Sequence, residues 1–182
     1  MFCSGKYAKT QYLMIVLFTC LYNAFYLAIF NSTQLKGDPL KIMACFGLAE
    51  VLGILITERL IRYVSDSFGM IASFAILLII NILMRTHIEE STLYVLYLLD
   101  MLLLGAITNL VYIVQVTRSN PRHQNIALEF TISIGQATTL FCPILAKSTE
   151  PTPLIYNSII CIVGIIVMLN MPKAKTQQIN LL

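Results

Sequence analysis

The sequence predicts an all-α, polytopic membrane protein with six transmembrane helices. Hydrophobic residues make up 58% of the 182 positions and charged residues only 12%, about half their share in an ordinary soluble domain. The apolar residues are also gathered into long runs. A soluble domain of this size could not bury so much apolar surface, so we expect the lipid bilayer to surround the chain.

Six of these runs are long enough to cross a membrane, which takes about 20 helical residues for a hydrocarbon core about 30 Å thick. The first run is too long, and too rich in Tyr and Phe, for a cleaved signal peptide. The predicted spans are residues 11–30, 39–61, 68–84, 92–116, 126–146 and 152–171.

Short polar segments with turn-forming residues separate the spans in order, and they are too short to hold a soluble domain. The chain therefore divides into three parts. These are an N-terminal segment (1–10), a six-helix transmembrane bundle (11–171) and a C-terminal tail (172–182).

Lysine and arginine predict the orientation, because they are enriched on the cytoplasmic side of membrane proteins. With six spans, both termini share one side with two of the loops. We expect both termini in the cytoplasm, in the plasma membrane or an internal membrane, because their side holds eight basic residues against four. The eight are Lys6, Lys9, Arg59, Arg62, Arg118, Arg122, Lys173 and Lys175; the four are Lys36, Lys41, Arg85 and Lys147.

The sequence lacks the motifs that are typical of several other functional classes. The net charge of +3 includes no basic block of the kind that binds nucleic acid. The sequence has no nucleotide-binding Gly-rich loop, no HExxH motif and no nucleophile elbow. His87 and His123 fall in loops on opposite sides, and the five cysteines form no CxxC pair. We expect no enzyme activity, no cofactor and no metal site.

Three acids lie inside the predicted spans, where ionisable residues are costly and usually face a protein interior or a water-filled cavity. They are Glu50, Asp100 and Glu129, and no basic residue lies at a comparable depth. If they line a polar pathway, they can exchange protons or attract a cationic solute. Alternatively, they contact other helices or lie near the headgroups, where an acid costs little.

Helical spacing predicts polar stripes in three spans. Lipid offers such groups no hydrogen-bond partner, so each stripe lines a cavity or contacts another helix. The stripes are Glu129, Ser133, Gln136 and Thr139 in the fifth span; Asp100, Thr108, Tyr112 and Gln115 in the fourth; and Thr19, Asn23 and Tyr26 in the first. The predicted substrate path consists of Glu50, Asp100, Asn109, Tyr112, Glu129, Ser133 and Gln136.

Charges also cluster where the second span ends. Glu58, Arg59, Arg62 and Asp66 include two opposite-charge pairs four residues apart, the spacing of ion pairs on one helix face. We interpret them as a charge ladder at the cytoplasmic face. The alternative is ordinary positive flanking of a span, which explains the two arginines but not the acids.

Four segments occur in an order that is typical of a known family. They are residues 24–29 with Gly37, residues 47–50, residues 58–62, and Val111-Tyr112 followed by Asn120-Pro121 and Pro143. Together they resemble helices seven to eleven in the C-terminal half of a major facilitator superfamily transporter. The likeness is closest to the organic cation and organic anion transporter group, and it extends over about residues 12–173.

The sequence also departs from that family. Ile61 stands where the loop motif has glycine, Arg118 where the family has glutamate, and Arg122 where it has threonine. The acid that cation transporters carry in the eleventh helix falls on Ser133 or Gln136, which are neutral. Glu129 lies one turn from Ser133 and can take its place.

The resemblance implies that a small organic, ion-like solute crosses the membrane by alternating access, with Glu58, Arg59, Arg62 and Asp66 as a cytoplasmic latch that breaks and re-forms. The family binds substrate between two six-helix halves, and this chain has one. It would pair with a separate half or with itself, be a fragment of a longer product, or be a degenerate copy. The alternative function is a non-transporting membrane protein that acts as an interaction module.

Overall fold

The structure is a computed structural model that describes residues 5–32, 35, 37–86, 89–119, 123–147 and 152–172. Within these residues all regular elements are helical, as predicted. The helices are α1 (Gly5–Ser32), α2 (Pro39–Leu60), α3 (Asp66–Leu83), α4 (Glu90–Arg118), α5 (Gln124–Thr138), α6 (Cys142–Ala146) and α7 (Thr152–Asn170), with a 3₁₀ turn (Thr139–Phe141) between α5 and α6.

These helices form six spans that are long and apolar enough to cross a membrane. The chain is therefore an integral, multi-pass membrane protein, as the sequence predicts. Because six is an even number, Gly5 and Asn170 lie on the same side of the bundle, named here the terminal side. The opposite side is named the loop side.

Local sequence explains several helix ends. The Asp38 carboxylate accepts a hydrogen bond from the Leu40 backbone N–H (3.0 Å), and Pro39 occupies the first turn of α2, where its missing N–H costs nothing. In the fifth span a single helix was predicted over 126–146. The structure instead breaks it at the 3₁₀ turn, because Pro143 has no N–H to donate to a preceding carbonyl.

The spans pack as a bundle with α1 and α4 at its centre. α4 contacts α1, α2 and α3, whereas α1 contacts α4, α7 and the fifth span. α3 and α7 also pack on each other. The apolar core between them includes Phe18, Phe74 and Leu104, which are fully buried.

The bundle repeats one packing pattern. α2 packs on α4 as the fifth span packs on α1, and α3 packs on α4 as α7 packs on α1. The contacts therefore stay the same when the first three spans are exchanged, in order, with the last three.

Two glycines mark equivalent places in this repeat. A Cβ atom on Gly53 would overlap the backbone carbonyl of Leu102 and lie 3.0 Å from the Ala106 nitrogen. One on Gly135 would lie 3.2 Å from the Phe18 carbonyl and 2.7 Å from the Tyr22 ring. The glycines are 82 residues apart (135 − 53), and both pairs of contacted residues are 84 apart (102 − 18 and 106 − 22).

The charge ladder is not formed. α2 ends at Leu60 and α3 begins at Asp66, so the four residues do not share one helix. In the described part of the chain, no ion pair joins Arg62 to Glu58 or to Asp66, and Glu58, Arg59 and Arg62 are exposed. The predicted ladder was wrong because it requires an unbroken helix over these residues. The expectations for Lys6, Lys36, His87, Asn120-Pro121, Arg122, Lys173 and Lys175 concern side chains that lie outside the described residues.

Candidate functional site

Asp100 lies deep in the bundle. It is 2% exposed, and its Oδ1 atom has no hydrogen-bond partner among the described residues. Asp100 thus faces the packed interior of the bundle and not lipid.

Glu129, unlike Asp100, lies on the exposed surface of the bundle. α5 contacts α1 through the buried residues Ala127, Thr131 and Gly135, whereas Glu129, Ser133 and Gln136 are exposed. At 100° per residue these three lie about 140–160° around the helix from Thr131. The stripe exists, as predicted, but Glu129 and Ser133 face away from their own bundle and not into it, while Gln136 lies at the edge of the contact with α1, beside Tyr22.

Glu50 lies where α2 crosses α4. Its side chain is half-buried, and its backbone carbonyl abuts Gly105, where an added Cβ would overlap it. One turn further along α2, the Ile54 carbonyl accepts a hydrogen bond from the Asn109 amide (3.4 Å). Asn109 therefore fastens α4 to α2 beside Glu50.

Tyr112 lies at the junction of α4, α1 and α5. Its hydroxyl is 3.2 Å from the Tyr22 hydroxyl, and its ring meets Phe18 edge-on, with centroids 5.4 Å apart. Gln136 interacts with the same Tyr22 hydroxyl. Two predicted path residues, the half-buried Tyr112 and the exposed Gln136, are thus linked through Tyr22.

The fourth-span stripe was wrong in one respect. Asp100 and Tyr112 are twelve residues apart, which places them about 120° apart around a helix. Asp100 faces the core, while Tyr112 and Thr108 are half-buried. Asp100 is therefore separate from the surface on which Tyr112, Gln136 and the α5 stripe lie.

An ion pair that the sequence did not reveal joins three segments at the terminal side. The Arg118 guanidinium donates to the Asp66 carboxylate (3.0 Å), the Ser67 hydroxyl (2.7 Å) and the Pro172 carbonyl (3.2 Å). Arg118 is buried, so one side chain joins α3, α4 and the end of α7. Asp66 was predicted as a latch residue, but its partner is Arg118 and not Arg62.

Other interhelical hydrogen bonds were also missed. Gln11 donates to Thr131 Oγ1 (2.6 Å) and accepts from Gln115 (3.4 Å), which connects α5, α1 and α4. Asn157 donates to Asn81 (2.9 Å) between α7 and α3. Their sequence signal is a single polar residue within an apolar run, which does not identify its partner.

Within the described residues, no group of three His, Cys, Asp or Glu side chains is arranged to hold a metal ion. No protein-family model and no curated protein sequence matches this chain.

Proposed function

We propose that the chain is one six-helix half of an alternating-access carrier for small organic, ion-like solutes, built like a half of a major facilitator superfamily transporter. The observation that carries this proposal is the internal repeat, seen in the equivalent packing of Gly53 on α4 and Gly135 on α1. Three spans are an odd number, so the second repeat enters the membrane from the opposite side. Inverted three-helix repeats of this kind build each half of these carriers.

The exposed polar face of α5 supports the same proposal. Glu129, Ser133 and Gln136 are exposed on a helix of a membrane-embedded bundle. The Ser133 hydroxyl donates to the Glu129 backbone carbonyl (2.8 Å), but lipid cannot satisfy the hydrogen bonds of the Glu129 and Gln136 side chains. Such a face requires water or protein against it. In a carrier with two halves, the cavity between the halves provides both.

The surface around this face has the chemistry of a solute site. The Tyr22 hydroxyl adjoins both Gln136 and the Tyr112 hydroxyl. Glu50 lies half-buried at a separate contact, beside Asn109 where α2 packs on α4. Acidic groups and aromatic rings together attract organic cations. The partner is a second six-helix half or a second copy of the chain, and the charge bias favours termini in the cytoplasm.

Uptake by reconstituted protein tests this proposal. A panel of organic cations and anions is first screened for ligands that raise the melting temperature of the purified protein, and ligands that do so are then tested for uptake into proteoliposomes. We expect Glu50→Gln and Glu129→Gln to abolish uptake while the protein still reaches the membrane. The matched control is Glu89→Gln, an exposed acid outside the spans. If no ligand binds, or if both variants transport as well as the wild type, the proposal is wrong.

A second candidate function is that of a non-transporting interaction module. The outward-facing stripe on α5 favours it, because polar side chains on a transmembrane helix also bind other helices. The two functions differ in one measurement. If the chain is an interaction module, Glu129→Gln should abolish binding of its partner protein, and neither the variant nor the wild type should show uptake.

A further inference from the structure

α2 and α3 are consecutive helices that leave a crevice between them. Each packs on α4 rather than on the other. The gap has a volume of about 220 Å³, and α4 forms its floor through Leu102, Leu103, Ala106 and Leu110. Small residues of α3, Gly69 and Ala72, keep it open.

The crevice is apolar although several hydroxyl groups border it. The Thr57 hydroxyl donates to the Gly53 carbonyl (2.8 Å), and the Ser73 hydroxyl donates to the Gly69 carbonyl (2.9 Å). Ser65 Oγ accepts from the Phe68 backbone N–H (3.4 Å). Because these groups are satisfied within their own helices, the crevice presents almost only hydrocarbon and offers little to a polar ligand.

The dimensions of the crevice fit one alkyl chain. Along α3 it extends from Phe68 to Ile76, eight residues or about 12 Å. One leaflet of hydrocarbon is about 15 Å deep. Over that length the crevice is an open groove of about 220 Å³, which suits a slender alkyl chain better than a helix, which is about 10–12 Å across with its side chains.

The charges near the terminal-side end of the crevice favour a lipid with an anionic headgroup. The crevice opens at the terminal side, by the turn that follows α2, where Arg59 and Arg62 are exposed. Asp66 is already paired with Arg118, so Glu58 is the one acid left against two arginines in this segment, 58–66. Exposed Tyr63 and Phe68 lie at the same level, where aromatic residues anchor to the membrane interface.

We propose that the crevice between α2 and α3 is a binding site for an anionic phospholipid of the terminal-side leaflet, with one acyl chain in the crevice and the phosphate beside Arg59 and Arg62. The chain has no tryptophan, so a single introduced tryptophan reports without background. Phe68→Trp places the probe at the crevice. Leu169→Trp places it near the terminal-side end of α7, at an equally exposed position (68% against 65%).

The test is fluorescence quenching by lipids with brominated acyl chains, comparing phosphatidylglycerol with phosphatidylcholine. At Phe68→Trp we expect the site to bind phosphatidylglycerol about fivefold or more tightly than phosphatidylcholine. At Leu169→Trp we expect the two lipids to bind about equally. Neutralising Arg59→Gln or Arg62→Gln should reduce the preference up to about fivefold each, since an arginine near an anionic surface contributes about that factor. The matched control is Arg85→Gln, which is exposed on the loop side.

Filling the crevice separates this site from ordinary lipid contact. Ala72→Phe should remove the preference at Phe68→Trp, and Ser73→Leu serves the same purpose if Ala72→Phe does not fold. Ala44→Phe, on an exposed face of α2 in the other leaflet, should leave the preference unchanged. Equal preference at both probe positions would overturn the proposal, as would a preference that survives in a folded filled variant. Weak quenching by both lipids at Phe68→Trp would mean that protein covers the crevice, which also overturns it.

Discussion

The guanidinium of Arg118 lies 3.0 Å from the carboxylate of Asp66, and this contact ties the end of α4 to the start of α3. The two partners differ in exposure: the Arg118 side chain is 4% exposed and the Asp66 side chain 24%. Asp66 also lies in the first turn of α3, where a negative charge is favourable without any partner. The cost of breaking the pair should therefore depend on which partner is removed.

We predict that Asp66→Asn destabilises the protein by about 3 kcal/mol, because it leaves a buried arginine without a counter-charge. Arg118→Gln should cost less, since the remaining carboxylate is partly hydrated. Thermal unfolding in detergent measures both. The double variant should lose about 1–3 kcal/mol less stability than the two single losses added together. If its loss equals that sum, the two residues are not coupled. Arg85→Gln, an exposed arginine, should have no effect.

The contact at Gly53 gives a second prediction. Gly53→Ala should lower stability by about 1–3 kcal/mol, because the new Cβ overlaps the Leu102 backbone and pushes α2 away from α4. Gly135→Ala should behave similarly on α1. Gly47→Ala is the control, since nothing lies within 4 Å of its added Cβ, and it should stabilise α2 by up to about 1 kcal/mol. Equal melting temperatures for all three variants would contradict the close approach of the helices.

Asp100 provides a third prediction. Its carboxyl group is buried, and Oδ1 has no partner among the described residues, so an ionised carboxylate there would cost free energy. Asp100→Asn removes the acid at nearly constant shape. We expect the variant to be as stable as the wild type or up to about 1 kcal/mol more stable, by thermal unfolding at neutral pH. A loss of more than about 1 kcal/mol would show that the carboxylate has a stabilising partner.

The sequence located the spans because their lengths follow directly from the thickness of the bilayer. It placed the ends less well. The fourth span was predicted over 92–116, and the helix is Glu90–Arg118, because a helix continues through polar residues after it leaves the hydrocarbon. Hydropathy does not detect that continuation.

The candidate site was less predictable than the spans. Helical spacing correctly grouped Glu129, Ser133 and Gln136, but it could not show that they face outward, since that depends on which side of α5 packs on α1. The pairing of Arg118 with Asp66 joins residues 52 positions apart, and short-range spacing contains no information about such contacts. Both failures concern tertiary packing, which a single sequence specifies only through the whole fold.

Glu129 gives a fourth prediction, which separates fold from function. Because its side chain is exposed, Glu129→Gln should change the free energy of unfolding by no more than about 0.5 kcal/mol. Uptake of a solute identified by the ligand screen should nevertheless fall at least tenfold. A variant that loses stability and uptake together would indicate a structural role for this acid.

We propose that the stripe of Glu129, Ser133 and Gln136 lines a water-filled path, although Glu129 and Ser133 face away from their own bundle. Cysteine scanning of α5 tests it most directly, in a background without the native cysteines and in intact membranes. A membrane-impermeant, water-soluble thiol reagent should label positions 129 and 136 at least tenfold faster than position 130, which is also exposed and lies about 100–120° around the helix from them. Equally slow labelling of all three positions would mean that the stripe faces lipid or a dry contact, and would contradict the proposed path.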